Sequence, residues 1–254
     1  MSEANQEFQA PPPPSSYPAA EAPTGPTMST PETLANIFFE PSRVFEALRN
    51  RPRFLVAGVI TVLLTAAVTF TMYQRIDMEQ YIRDKMERSP RSAAQTEQQK
   101  EMGVKIGKSI GMAVPLIIPF TIAAGAALYL LAVIAFGGKM TYRQSLSVWC
   151  YSGLPPSVLA TVVAILVLFL KSPDTIDPEH LLLTNPGAFL SQESSPALVA
   201  FLSQFDVVRF YGMFLAAIGL RKMAKLSSTS AWAIVIIFWL IILVLSVGSR
   251  ALFG

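Results

Sequence analysis

The chain has 254 residues, of which 52% are hydrophobic and 15% charged, with a formal net charge of +3. A soluble domain carries roughly a quarter charged residues, so this composition excludes an ordinary water-soluble fold; the length holds several membrane spans at about 20 residues each. One cysteine, Cys150, and one histidine, His180, exclude an internal disulfide framework and a Cys/His zinc site, and so small a net charge bears on membrane orientation rather than on nucleic acid.

In chain order, residues 1–28 read as a disordered tail. Pro11 to Pro14, Pro18, Pro23 and Pro26 stand among Ser, Ala and Glu, with too little apolar surface to offset chain entropy. Order is expected from Thr30-Pro31-Glu32, with Thr30 as helix cap and Pro31 as the first helical residue. Leu34, Ile37, Phe38, Phe45 and Leu48 then share a face that is interrupted at Pro41. Residues 29–53 are therefore two short amphipathic helices bearing Arg43, Arg49, Arg51 and Arg53. Such a pair lies in the membrane interface or packs on the protein's own surface, and its periodicity fits both.

The first span is 54–73, with Thr61, Thr65 and Thr69 on one helix face. Residues 74–109 are polar and of mixed charge. They read as two helices in water, broken at Ser89-Pro90-Arg91-Ser92, the second running into the second span, 110–136. That span would measure about 40 Å, so it must tilt, kink at Pro115 or Pro119, or protrude. Gly103, Gly107, Gly111, Pro115, Pro119, Ala123 and Ala127 recur at every fourth position. A stripe of small residues lets another helix approach closely, within the chain or across a homo-oligomer.

The third span, 146–170, carries Tyr151, Ser152, Gly153, Pro155 and Pro156 near its start, where two prolines after a glycine are expected to open the helix. A polar connection, 171–195, follows. The next charge-free run, 210–220, is too short to cross. Extending it back as one helix gives a fourth span of 201–220. Asp206 and Arg209 then lie three apart on one face, inside the outer half of the bilayer. The fifth span is 231–248. Five spans put the termini on opposite sides, and a cytosolic N-terminus places the Arg43–Arg53 cluster, Lys139, Arg143, Arg221, Lys222 and Lys225 inside.

Ser152 and His180 fall at opposite ends of this topology, too far apart for a nucleophile and its base. No nucleotide loop, metal cluster or paired carboxylate emerges, so no catalytic, cofactor-binding or metal residue is assigned. Asp206 and Arg209 form the candidate intramembrane polar pair, because a charge within a span is a functional-site hypothesis by default.

Three segments resemble a known family. Phe39-Glu40-Pro41-Ser42-Arg43-Val44-Phe45 is similar to the pre-span motif of bacterial Yip1-domain membrane proteins. Gln144 through Tyr151-Ser152-Gly153-Leu154-Pro155 is similar to the third-span motif of that family, and Ala217-Ile218-Gly219-Leu220 to its fourth-span ending. The resemblance covers about residues 33–250 and implies five spans with a cytosolic N-terminus. Eukaryotic members are associated with Rab GTPases, Golgi structure and vesicle traffic. Their Asp-Leu-Tyr-Gly-Pro segment is replaced here by Phe39-Glu40-Pro41, so small-GTPase binding does not carry over.

The expectation is an all-α, multi-pass membrane scaffold or adaptor without catalysis, which would lie in the cytoplasmic (inner) membrane if the chain is bacterial. Its partners would be the lipid bilayer and a second copy or another membrane protein. The alternative is a small-solute or ion permease built on the proline-broken helices and Asp206/Arg209.

Overall fold

The computed structural model describes residues 27–88, 95–182, 184–190 and 195–253. The proline-rich stretch up to residue 26 and Ser89-Pro90-Arg91-Ser92 lie outside the described residues. Within them, all regular structure is helical.

The amino-terminal helices are α1 (Thr30–Asn36) and α2 (Pro41–Asn50). Ser29, not Thr30, caps α1. Its hydroxyl accepts from the Glu32 N–H while the Glu32 carboxylate accepts from the Ser29 N–H at 2.6 Å. That exchange holds the Glu32 carboxyl below its usual range. α2 opens on Pro41, whose missing N–H costs nothing in a first turn.

Four helices are long and apolar enough to cross a membrane: α3 (Leu55–Arg75), α5 (Glu97–Ala135), α6 (Tyr142–Leu170) and α9 (Ser228–Phe253). Between α6 and α9 come α7 (Pro196–Ser203) and α8 (Val207–Ala224), bent by 45° to one another; together they have the length and apolar character of a broken fifth span or a re-entrant loop. α4 (Met78–Arg88) is short and polar. At 39 residues, α5 is about 58 Å long, so it protrudes beyond any bilayer; its first turns lie against α4.

The prolines do not interrupt their helices. α5 runs through Pro115 and Pro119, and α6 through Pro155 and Pro156, each as one unbroken helix. A proline removes one N–H but keeps a helical φ, and in α6 the neighbourhood takes up the slack. Ser157 donates its hydroxyl to the Gly153 carbonyl at 2.8 Å. α8 approaches so closely that a Cβ on Gly212 would lie 3.1 Å from Pro156 and 3.6 Å from the Ser152 carbonyl oxygen. The break falls instead in the fourth span, expected to be continuous.

The larger core sits at the amino-terminal end of the bundle. It joins Ile37, Val44, Phe45 and Leu48 to Val148, Tyr151, Leu220 and Ile234, all within 1% of full burial. The apolar face of α2 is thus packed on α8 and α6. Residues 29–53 thus form helices docked on the protein itself. A smaller core at the opposite end gathers Ile76, Met78, Ala164, Leu168, Ile176 and Leu181 under the 171–190 connection.

Candidate functional site

Two places concentrate polar contacts inside the bundle. The first is a seam where α1 and α2 meet α6 and α8. The Thr33 and Tyr151 hydroxyls share a hydrogen bond of 3.1 Å, both residues fully buried. Arg53 donates to the Thr30 hydroxyl at 3.0 Å and to the Met28 carbonyl at 2.6 Å, tying the start of α1 to the foot of α3. Gln144 caps its own helix through Thr141 and donates to the Arg49 carbonyl at 2.8 Å. Lys222 on α8 pairs with Glu46 on α2 at 2.5 Å. The Phe45 ring lies over Gly219, where a Cβ would come within 3.0 Å of both that ring and Val148.

The second place is a cavity of about 470 Å³ between α3, α6, the start of α8 and the 178–185 segment. Thr65, Thr69, Ser157 and Thr161 line it from α3 and α6, Ser203, Asp206 and Arg209 from the break in the fourth span. Thr65 is ten residues from each end of α3, so the crevice reaches roughly half the depth of the bundle, about 15 Å from either end.

The fourth span breaks because Asp206 caps a helix better than it sits inside one. Its Oδ1 accepts from the Arg209 backbone N–H at 2.8 Å, and its Oδ2 accepts from the Thr184 hydroxyl at 2.5 Å. The backbone groups freed by the break find protein partners, as they must away from water. Trp239 on α9 donates its indole N–H to the Gln204 carbonyl at 3.2 Å, and the Val207 N–H bonds to the Thr184 carbonyl at 3.2 Å. Phe205 stacks edge-on against Phe201 and Trp239, filling the bend.

Asp206 and Arg209, the candidate polar pair, make no ion pair with each other. Asp206 stands before the first turn as a cap, and the Arg209 guanidinium turns back to the Gln204 side-chain oxygen. Both residues nevertheless line the crevice. The small-residue stripe divides in two. Gly103, Gly107 and Gly111 face Met86 and Ile82 of α4 and Tyr73 of α3, the Tyr73 hydroxyl donating to the Lys108 carbonyl at 2.9 Å. Pro115 and Ala127 are half-buried, while Pro119 and Ala123 are exposed. The ridge has rotated away, and Gly125, Ala126, Tyr129 and Val133 take over the buried face. In the Tyr151–Pro156 segment, Tyr151 serves the seam, and Ser152 donates to the Trp149 carbonyl at 3.2 Å.

Sequence reasoning passed over Thr184, Gln204 and Trp239, whose roles depend on the break. Ser157 and Thr161 carried a usable signal: hydroxyls four apart on α6, matching Thr65 and Thr69 on α3. Outside the bundle, the connection over the crevice is pinned from two sides. Glu179 pairs with Lys85 of α4 and, at 3.8 Å, with Arg250 of α9. Tyr81 donates to Asp177 at 3.2 Å, and burial, with Glu179 and Asp177 nearby, holds its phenol well above its ordinary range.

These features define a polytopic, all-α membrane protein with two short helices folded back onto one end. The Yip1 domain model matches residues 35–249, and the chain belongs to the Yip1-domain family. No curated protein and no solved structure matches it. The three segments that carried the resemblance meet at the seam: Phe45 from the first and Gly219 from the third touch, and Val148 and Tyr151 stand beside them in the second.

Proposed function

We propose that the protein is a membrane scaffold or adaptor, with its amino-terminal end in the cytosol as the docking face. The observation that carries this reading is the locked seam. Buried hydrogen bonds and the Phe45–Gly219 contact fix α1 and α2 on the bundle, yet Phe39 between them is 83% exposed. Around the same end stand the exposed side chains of Arg43, Arg51, Arg143, Arg221 and Lys225. A large apolar side chain held out rigidly beside exposed basic groups, of which Arg43 pairs with Glu40, suits recognition of a protein partner carrying acidic residues.

The test is affinity capture from membranes in mild detergent, comparing the parent with Phe39→Ser and with Arg51→Glu combined with Arg221→Glu. Both variants change exposed positions and should leave the melting temperature within a few degrees. Partners recovered with the parent should be lost from both. Identical partner sets in all three preparations would refute the docking face. A small-solute or ion permease is the second reading, favoured by the crevice at the broken span.

A further inference from the structure

We propose that the mid-depth crevice is a binding site for an anionic, phosphate-bearing amphiphile, with Arg209 meeting the phosphate. The inference follows from which groups in the cavity are already engaged. Both acids lining it have partners. Glu179 is held by Lys85 and Arg250, and each carboxylate oxygen of Asp206 already accepts a hydrogen bond. The Arg209 guanidinium has only the neutral Gln204 oxygen as acceptor and, among the described residues, no carboxylate within ion-pairing distance. The hydroxyls of Thr69, Thr161 and Ser203 line the same space and, among the described residues, have no protein partner. With the Asp206 oxygens engaged at the cap and on Thr184, the groups left to meet a ligand are the Arg209 guanidinium and the three hydroxyls, which together can donate to an acceptor-rich anion. A planar guanidinium with several free N–H groups matches phosphate oxygens.

The rest of the lining gives the ligand an apolar part. Val68, Ala160, Ala164, Leu181 and Leu182 share the cavity with these donors, and a bare ion would leave them against water. The position of Arg209 gives the route of access. Val207 and Phe210, its neighbours on the first turn of α8, are 70% and 40% exposed on the outside of the bundle. The proposed route of entry is from this exposed apolar surface. A phosphodiester headgroup entering sideways would place its phosphate at Arg209 and the hydroxyls, and its glycerol and upper chain carbons along the apolar wall.

The experiment measures ligand-induced thermal stabilisation and retained adducts by native mass spectrometry, on full-length protein in mild detergent. The probes are phosphatidylglycerol, phosphatidylcholine and inorganic phosphate. The variants are Arg209→Gln, which keeps a hydrogen-bond donor for Gln204, and Thr161→Val, which is isosteric. Phosphatidylglycerol should bind the parent at least tenfold more tightly than phosphatidylcholine and lose tenfold or more in Arg209→Gln, with a smaller loss in Thr161→Val. Inorganic phosphate should stabilise weakly, if at all. If phosphate alone stabilises the parent through Arg209 while phosphatidylglycerol does not, the ligand is a soluble phosphate and the amphiphile is overturned. Equal affinity for phosphatidylglycerol in the parent and both variants overturns the site altogether.

Discussion

Asp206 closes the gap between α7 and α8 with both carboxylate oxygens, one on a backbone N–H and one on a threonine hydroxyl. Loss of a helix N-cap costs about 1 kcal/mol, and the orphaned Thr184 hydroxyl adds about as much again when half-buried. Asp206→Ala should therefore lower the unfolding midpoint in detergent clearly, and Asp206→Asn, which keeps an acceptor at the cap, much less. Adding Arg209→Ala to Asp206→Ala should bring no recovery, because the guanidinium engages Gln204 and not the carboxylate. Recovery in the double variant would show an ion pair after all. The same proteins separate the permease reading: in proteoliposomes, solute or ion flux that vanishes in Asp206→Asn at unchanged stability would favour transport over scaffolding.

Among the helices, α5 shows most directly how a small-residue ridge is used. Its lower half is filled from within the chain, since Gly111 stands against the Tyr73 hydroxyl. Gly111→Leu must push Tyr73 off the Lys108 carbonyl and part α3 from α5, so the melting temperature should fall by several degrees. Ala123→Leu, on the exposed upper half, should leave it unchanged and alter only oligomer size, if two copies meet there. An unchanged melt for Gly111→Leu would remove the intramolecular role. The helical class and the apolar runs were legible because they depend on local sequence. Runs of about twenty apolar residues admit few alternatives, and the Thr96/Gln99 and Thr141/Gln144 boxes mark helix starts by chemistry alone. The break at Gln204-Phe205-Asp206 was not legible, because its cost is met by Thr184 and Trp239, remote in the chain. For the same reason Pro155 and Pro156 misled: whether a helix survives a proline pair depends on how closely a neighbour such as Gly212 can approach.

For the molecule as a whole, the two ends differ in charge balance. Among the described residues, the amino-terminal end sets Arg43, Arg49, Arg51, Arg53, Lys139, Arg143, Arg221, Lys222 and Lys225 against Glu32, Glu40 and Glu46. The opposite end pairs its charges: Lys85 with Glu179, Lys108 with Glu79, Lys100 with Glu97. The positive-inside rule then favours a cytosolic amino-terminal end. In a Cys150→Ala background, a membrane-impermeant maleimide applied to intact cells should label a cysteine at Ser195 and spare one at Ser227, both exposed positions. The reverse pattern would invert the orientation, and equal labelling would deny that α7 and α8 together cross.

The seam also sets an order of events during synthesis. Thr33 must wait for Tyr151, 118 residues later, and Glu46 for Lys222, 176 residues later. At ordinary translation speeds the second interval lasts roughly 10–35 s. Through that time α2 has made its apolar face but has no α8 to cover it. The nascent chain therefore leaves open a hydrophobic surface that the finished protein hides. Docking of α2 becomes a signal that α8 has arrived.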